Sequence, residues 1–111
     1  MNGRQCSLRL TRRYADSPAE VWKALTDPAS VARWLAPGFD LQASEVEPGR
    51  VLELDWRPPG EVPSVVRFVL TPDGEGTILV LDHARIEARA GMAALRYWVG
   101  ALARVPLRER T

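Results

Sequence analysis

The chain has one cysteine, one histidine and one lysine, and no apolar run approaching the ~18–20 residues that a membrane-spanning helix needs. A lone thiol, Cys6, can neither close an intrachain disulfide nor build a thiolate metal cluster, and it suits a reducing cytoplasm. With His83 as the only imidazole, no histidine metal centre can be assembled, so neither a metal nor a cofactor is expected. A formal net charge of +1, from 15 basic and 14 acidic residues, lacks the field of a dedicated polyanion binder. The opening MNGRQCSL lacks the apolar core of an export signal. These shortages predict a cytoplasmic protein with neither nucleic acid nor membrane as partner. Arg12–Arg13 and Arg108–Arg110 read as solvated terminal clusters.

Apolar residues are plentiful. At 46% hydrophobic over 111 residues, the composition predicts a single domain, 1–111, with one core. Its organising stretch is RAGMAALRYWVGALARV, residues 89–105. Helical spacing puts Ala88, Met92, Leu95, Trp98, Val99 and Leu102 on one broad face, with Arg89, Arg96 and Arg104 elsewhere. Ordering a helix costs about 1–2 kcal/mol of backbone entropy per residue, so a face this wide implies a surface that covers it.

The preceding sequence supplies that surface as strands. Cys6, Leu8 and Leu10 alternate with Ser7, Arg9 and Thr11, the period of a half-buried strand. Ser17-Pro18-Ala19-Glu20 is a capping box with proline at the first helical position, followed by Val21, Trp22 and Leu25. Thr26-Asp27-Pro28 stops that helix and caps a second short one bearing Val31, Trp34 and Leu35. Phe39, Leu41 and Ala43 alternate up to Glu47-Pro48-Gly49-Arg50, which suits a type II turn. Leu52, Leu54 and Trp56 share one face of the next strand, and the loop Pro58-Pro59-Gly60 to Pro63 follows. Val66, Phe68 and Leu70 then face inward, as do Leu79, Leu81 and His83 beyond the glycine-rich turn at 72–76. The expected fold class is α+β: a curved antiparallel sheet of about five strands gripping a long C-terminal helix, with two short helices between strands 1 and 2.

SPAEVWKALTDPASVARW (17–34), GRVLELDW (49–56), TPDGEGTILVLDH (71–83) and the Trp-bearing last helix resemble, in order and spacing, START-like helix-grip domains. Within that superfamily, which includes polyketide cyclases and Bet v 1-like proteins, the resemblance is to domains like the C-terminal domain of the Hsp90 ATPase activator. It covers nearly the whole chain. It also implies a departure: such domains carry a glycine-rich hairpin between the second short helix and the strand starting near Phe39, and this chain is too short there to hold it.

If Leu79 and Leu81 face the helix, Val65, Val69, Ile78 and Val80 lie on the outer sheet face. Such a patch marks an association surface, here of a homodimer, or else β-branched residues placed for strand propensity. His83 is the one candidate acid or base, set against a histidine merely hydrogen-bonded at a strand end. No further catalytic residue can be assembled around it. Arg67 and Arg96 are candidates for a ligand carboxylate, set against surface ion pairs.

Three readings of function follow. One is a non-catalytic binder of a hydrophobic small molecule, in a groove lined by Trp34, Trp56, Phe68, Leu81, His83, Met92, Leu95 and Trp98. A second is a cyclase- or dehydratase-type enzyme using His83. The third is a protein-interaction module, co-chaperone-like or dimerising, whose groove is filled by its own tryptophans.

Overall fold

Alternation from Cys6 onward forms strand β1, Gln5–Tyr14, in the computed structural model, which describes residues 5–34, 43–56 and 64–110. Exposure alternates along β1 until Tyr14, which closes it inside the core. Helix α1, Pro18–Thr26, starts at the capping box: Ser17 Oγ accepts from the Glu20 backbone N–H, and Glu20 Oε1 accepts from that of Ser17. Each bond satisfies an N–H that the first helical turn leaves unpaired. Asp27 ends α1 and caps helix α2, Pro28–Trp34, its carboxylate accepting from the Ser30 N–H. The Trp34 indole N–H reaches back to the Ala24 carbonyl at 3.1 Å and ties the two helices together.

Strands β2 (Ala43–Glu47), β3 (Val51–Trp56), β4 (Ser64–Asp73) and β5 (Gly76–Glu87) join β1 in one antiparallel sheet ordered β1-β5-β4-β3-β2. Pro48-Gly49 turns as its chemistry predicts, with Gly49 at φ 81° and the Arg50 N–H bonded to the Glu47 carbonyl at 2.9 Å. The β4–β5 turn is tighter, with Asp73 paired to Gly76 and Gly74 at φ 60°. Leu35, Phe39 and Leu41, the proline loop at 58–63 and the place where a hairpin is expected to be missing lie outside the described residues.

Register aligns the inward residues in rows across the sheet. One row is Leu54, Val66, His83 and Leu8, and the next is Leu52, Phe68, Leu81 and Leu10. Helix α3, Gly91–Arg104, packs on these rows after a 3-10 turn at Ala88–Ala90. Gly91 sits close against β1, for a Cβ there would lie 3.0 Å from Cys6 Sγ.

The buried face of α3 differs from the expected one. Ala94, Trp98, Ala101 and Leu102 are buried, whereas Met92 is 62% and Val99 42% exposed. Their i, i+4, i+7, i+8 spacing is the helical stripe itself, and its two alanines let the helix axis approach the sheet while Trp98 fills the gap. Choosing the face by side-chain size selects Met92 and Val99 instead.

Two more features depart from simple alternation. Cys6 pairs with Ile86 but Leu8 with His83, so two residues of β5, Ala84 and Arg85, oppose Ser7 alone. Arg85 takes the left-handed conformation of such a bulge, φ 61°, and the extra residue keeps both His83 and Ile86 buried. The C-terminal arginines are not a free tail. The Ala15 N–H bonds the Arg108 carbonyl, the Arg110 N–H bonds the Arg13 carbonyl, and Asp16 accepts from the Arg108 N–H, each at 2.7 Å.

Gly76 and Gly74 separate two reasons for glycine. A Cβ on Gly76 would meet the Tyr14 carbonyl oxygen at 2.3 Å, while one on Gly74 meets nothing within 4 Å. Gly76→Ala is therefore expected to lower stability by more than about 2 kcal/mol, and Gly74→Ala, strained only by its positive φ, by about 1 kcal/mol. Urea unfolding of both variants checks this, and equal losses would refute the close approach at Gly76.

Candidate functional site

Between the sheet and α3 the aromatic side chains converge. Trp34 from α2, Trp56 from β3, Phe68 from β4, His83 from β5 and Trp98 from α3 form one cluster. Trp98 is its hub, with ring centroids 5.1 Å from Trp56, 5.9 Å from Phe68, 6.2 Å from His83 and 6.5 Å from Trp34. Phe68 and His83 meet it edge to face, the arrangement that ring quadrupoles favour. Tyr97, half-buried, lies 5.0 Å from Trp56 on the same side.

A chain of polar atoms crosses this apolar cluster. The Trp98 indole N–H donates to His83 Nδ1 at 3.0 Å, and His83 Nε2 lies 2.8 Å from Ser64 Oγ. An indole nitrogen is a donor only, so Nδ1 must be the accepting nitrogen of a neutral imidazole. The ring proton then sits on Nε2 and is donated to Ser64. Burial reinforces this state by pushing the His83 pKa down from 6.5 to about 4. Protonating Nδ1 would also set two donors against each other.

The pair has the spacing of a serine nucleophile and its base, with the opposite polarity. In a working pair Nε2 accepts the serine proton while an acid holds Nδ1–H. Here Trp98 occupies the position of that acid and supplies a proton instead of accepting one. Asp82 faces the other side of the sheet, bonded to Arg9 at 2.7 Å.

Of the residues expected to line a groove, Trp34, Trp56, Phe68, Leu81, His83 and Trp98 lie together in the core, while Leu95 is half-buried on α3 and is not among the side chains packed on that core. Met92 does not join them and faces solvent. Arg67 lies on the outer sheet face, its Nε bonded to Glu53 at 2.8 Å, and Arg96 is exposed. Sequence reasoning missed Ser64. Its only signal is position: it is the first residue of β4, paired with Trp56 and one inward step before Val66.

The residues expected at a dimer contact do face outward and are half-buried, with Val69 opposite both Val51 and Val80 and Ile78 diagonal to it. Val65 is set apart from them by the charged row Glu53, Arg67, Asp82 and Arg9.

Two open depressions lie away from the cluster. One of about 570 Å³ is bounded by Arg13, Asp73, Glu75 and Arg110, and one of about 310 Å³ by Asp16, Lys23, Asp27 and Leu107. Among the described residues no group of three or more His, Cys, Asp or Glu side chains could hold a metal ion, and no helix is long and apolar enough to cross a membrane.

The buried imidazole fixes a pH dependence. Between pH 6.5 and about 4 the unfolded chain binds a proton that the folded chain refuses, so stability rises with pH across that window. The contribution is complete above pH 6.5 and is lost on acidification toward pH 4, a total of about 3 kcal/mol. Urea midpoints from pH 4 to 7 are expected to show this slope, flattened in His83→Gln. Nitrogen-15 spectra of the imidazole are expected to show Nε2 protonated and Nδ1 bare at pH 7, and the reverse pattern would refute the relay.

Compared with known proteins, the sequence matches no family model, and no curated protein matches it. Solved structures do match. CalU16 from Micromonospora echinospora superposes with a TM-score of 0.80 at 28% identity, over 91% of this chain and 72% of that one. DynU16, from the dynemicin biosynthetic locus, gives 0.76 at 24% identity over 89% of this chain and 45% of its own length. The Aha1 dimer from Colwellia psychrerythraea gives 0.73 at 13% identity over 88% and 91%. These likenesses support a helix-grip-like fold, an α+β domain in which an antiparallel sheet holds a C-terminal helix.

Proposed function

We propose that the protein binds a hydrophobic small molecule between the sheet and α3 and does not transform it. The observation that carries this reading is the polarity of the Trp98–His83–Ser64 chain. It places hydrogen-bonding groups inside an aromatic enclosure, which is how small-molecule sites are built, yet it leaves His83 without a free basic nitrogen. That weighs against a cyclase or dehydratase in which His83 moves a proton. In this reading the guest meets Trp56 and the half-buried Tyr97, whose rings pack 5.0 Å apart. DynU16 lies in a biosynthetic locus, a setting of small molecules, which favours the same reading. We assign the chain to the Hsp90-activator-like branch of the START-like proteins, shortened by one hairpin, on its sequence motifs and its likeness to Aha1.

Native mass spectrometry of freshly purified protein tests the binding reading. The expected result is a mass excess that organic solvent removes, or, in stripped protein, tryptophan emission that shifts on adding anilinonaphthalene sulfonate. A bare chain whose emission ignores that probe would refute it.

A second reading concerns the outer face. Val51, Val69 and Val80 form an unbroken cross-strand row with Ile78 beside it, next to a charged row of alternating sign that is complementary to itself under a two-fold rotation. Aha1, a fold neighbour, is a dimer. We propose that this face joins two copies of the chain, with Val65 at the margin. Sedimentation at high micromolar concentration is expected to show a dimer that Val80→Lys dissociates, and a wild-type monomer would refute it.

A further inference from the structure

The relay has a free end. Ser64 is 5% exposed, and its oxygen accepts the His83 Nε2 proton. Accepting that proton leaves the serine's own hydroxyl hydrogen to be donated elsewhere. Among the described residues no acceptor meets it, although buried donors in folded proteins are almost always satisfied. The donor stands at the first residue of β4, level with Trp56 on β3. The Trp56 ring in turn packs at 5.6 Å from His83 and 5.0 Å from Tyr97. An aromatic wall and a committed hydrogen-bond donor therefore stand side by side at the same end of the cluster.

We infer that Ser64 donates its hydroxyl hydrogen to a carbonyl or carboxylate oxygen of the guest, so that the site selects flat aromatic compounds bearing such an oxygen. This rests on the small-molecule reading above and narrows it to a ligand class. The selection is set from Trp98: its indole holds Nδ1 as an acceptor, which makes Nε2 a donor and leaves the Ser64 hydroxyl hydrogen to be donated too. Were the imidazole the other tautomer, Ser64 would spend its proton on Nε2 and offer the guest only lone pairs. The same pocket would then prefer amines and alcohols.

Two probes of nearly equal shape decide the matter: 2-acetylnaphthalene, which has the oxygen, and 2-ethylnaphthalene, which lacks it. Each is titrated into wild-type protein and into Ser64→Ala and Ser64→Thr, with the Trp98 indole N–H resonance as readout. The wild type is expected to bind the acetyl compound about fivefold more tightly than the ethyl one, the difference one neutral hydrogen bond makes. Ser64→Ala is expected to lose that preference, binding the two probes equally, and Ser64→Thr to retain it. A wild type that binds both probes equally overturns the inference and leaves the binding reading standing, whether or not the alanine variant folds. A wild-type spectrum that neither probe perturbs overturns both.

Discussion

The hydrogen bond from the Trp98 indole to His83 joins α3 to strand β5, and His83 passes the connection on to the central strand β4 through Ser64. A neutral hydrogen bond contributes only about 0.5–1.5 kcal/mol net, less than the indole's own burial contributes. Its influence comes from what happens when it is broken. A buried donor or acceptor left without a partner costs about 1–3 kcal/mol, so a helix that slides or rotates on the sheet strands the indole N–H and His83 Nδ1 together. Apolar contacts tolerate such shifts far better. The relay therefore fixes one placement of α3 among many that would bury similar area.

That placement in turn needs a narrow helix face. Ala94 and Ala101 flank Trp98 on the buried side of α3, and Leu102 completes it. Small residues above and below the indole let the helix settle close enough for Nε1 to reach His83. Larger side chains at those positions would lift the helix and stretch the bond, however favourable their burial. The sheet makes the matching adjustment. Its bulge at Ala84–Arg85 places His83 and Ile86 on the same side, so β5 keeps the imidazole inward and still buries Ile86.

Much of this architecture is legible in the sequence because its causes are local. The capping box at Ser17 and Glu20, the Asp27 cap and the Pro48-Gly49 turn are decided within four residues. Strand faces follow from alternation, which correctly puts Leu52, Leu54, Val66, Phe68, Leu79, Leu81 and His83 inside. What is not legible depends on approach distances between distant segments. The alanine face of α3 is chosen by how near the helix lies to the sheet, and apolar size alone points to Met92 and Val99. The bulge at Arg85 exists to reconcile two pairing registers, and Arg85 itself carries no glycine to announce it. Ser64 follows a proline and opens a strand, where a hydroxyl is unremarkable until the partner strand sets His83 beside it. The terminal arginines read as a solvated cluster because it is their main-chain groups that are anchored, to the backbone of Arg13 and Ala15 and to the Asp16 carboxylate, which their own side chains cannot reveal.

Proton placement also separates binding from catalysis in a way that the bare presence of serine and histidine does not. A nucleophile needs its proton drawn toward the imidazole, and for that the far nitrogen must carry hydrogen and face an acceptor. Trp98 offers hydrogen to that nitrogen, so the whole relay runs in the other direction, from indole to imidazole to hydroxyl. Each bond polarises the next and makes the terminal hydroxyl a better donor than an isolated serine. In a chain directed this way the hydrogen left to donate lies at the Ser64 end, where the proposed recognition of an oxygen acceptor would use it. Changing this to base chemistry requires an acceptor in place of the indole nitrogen, and that same change would remove the contact that holds the helix on the sheet. The element that closes the core is thus also the one that gives the site its hydrogen-bonding polarity.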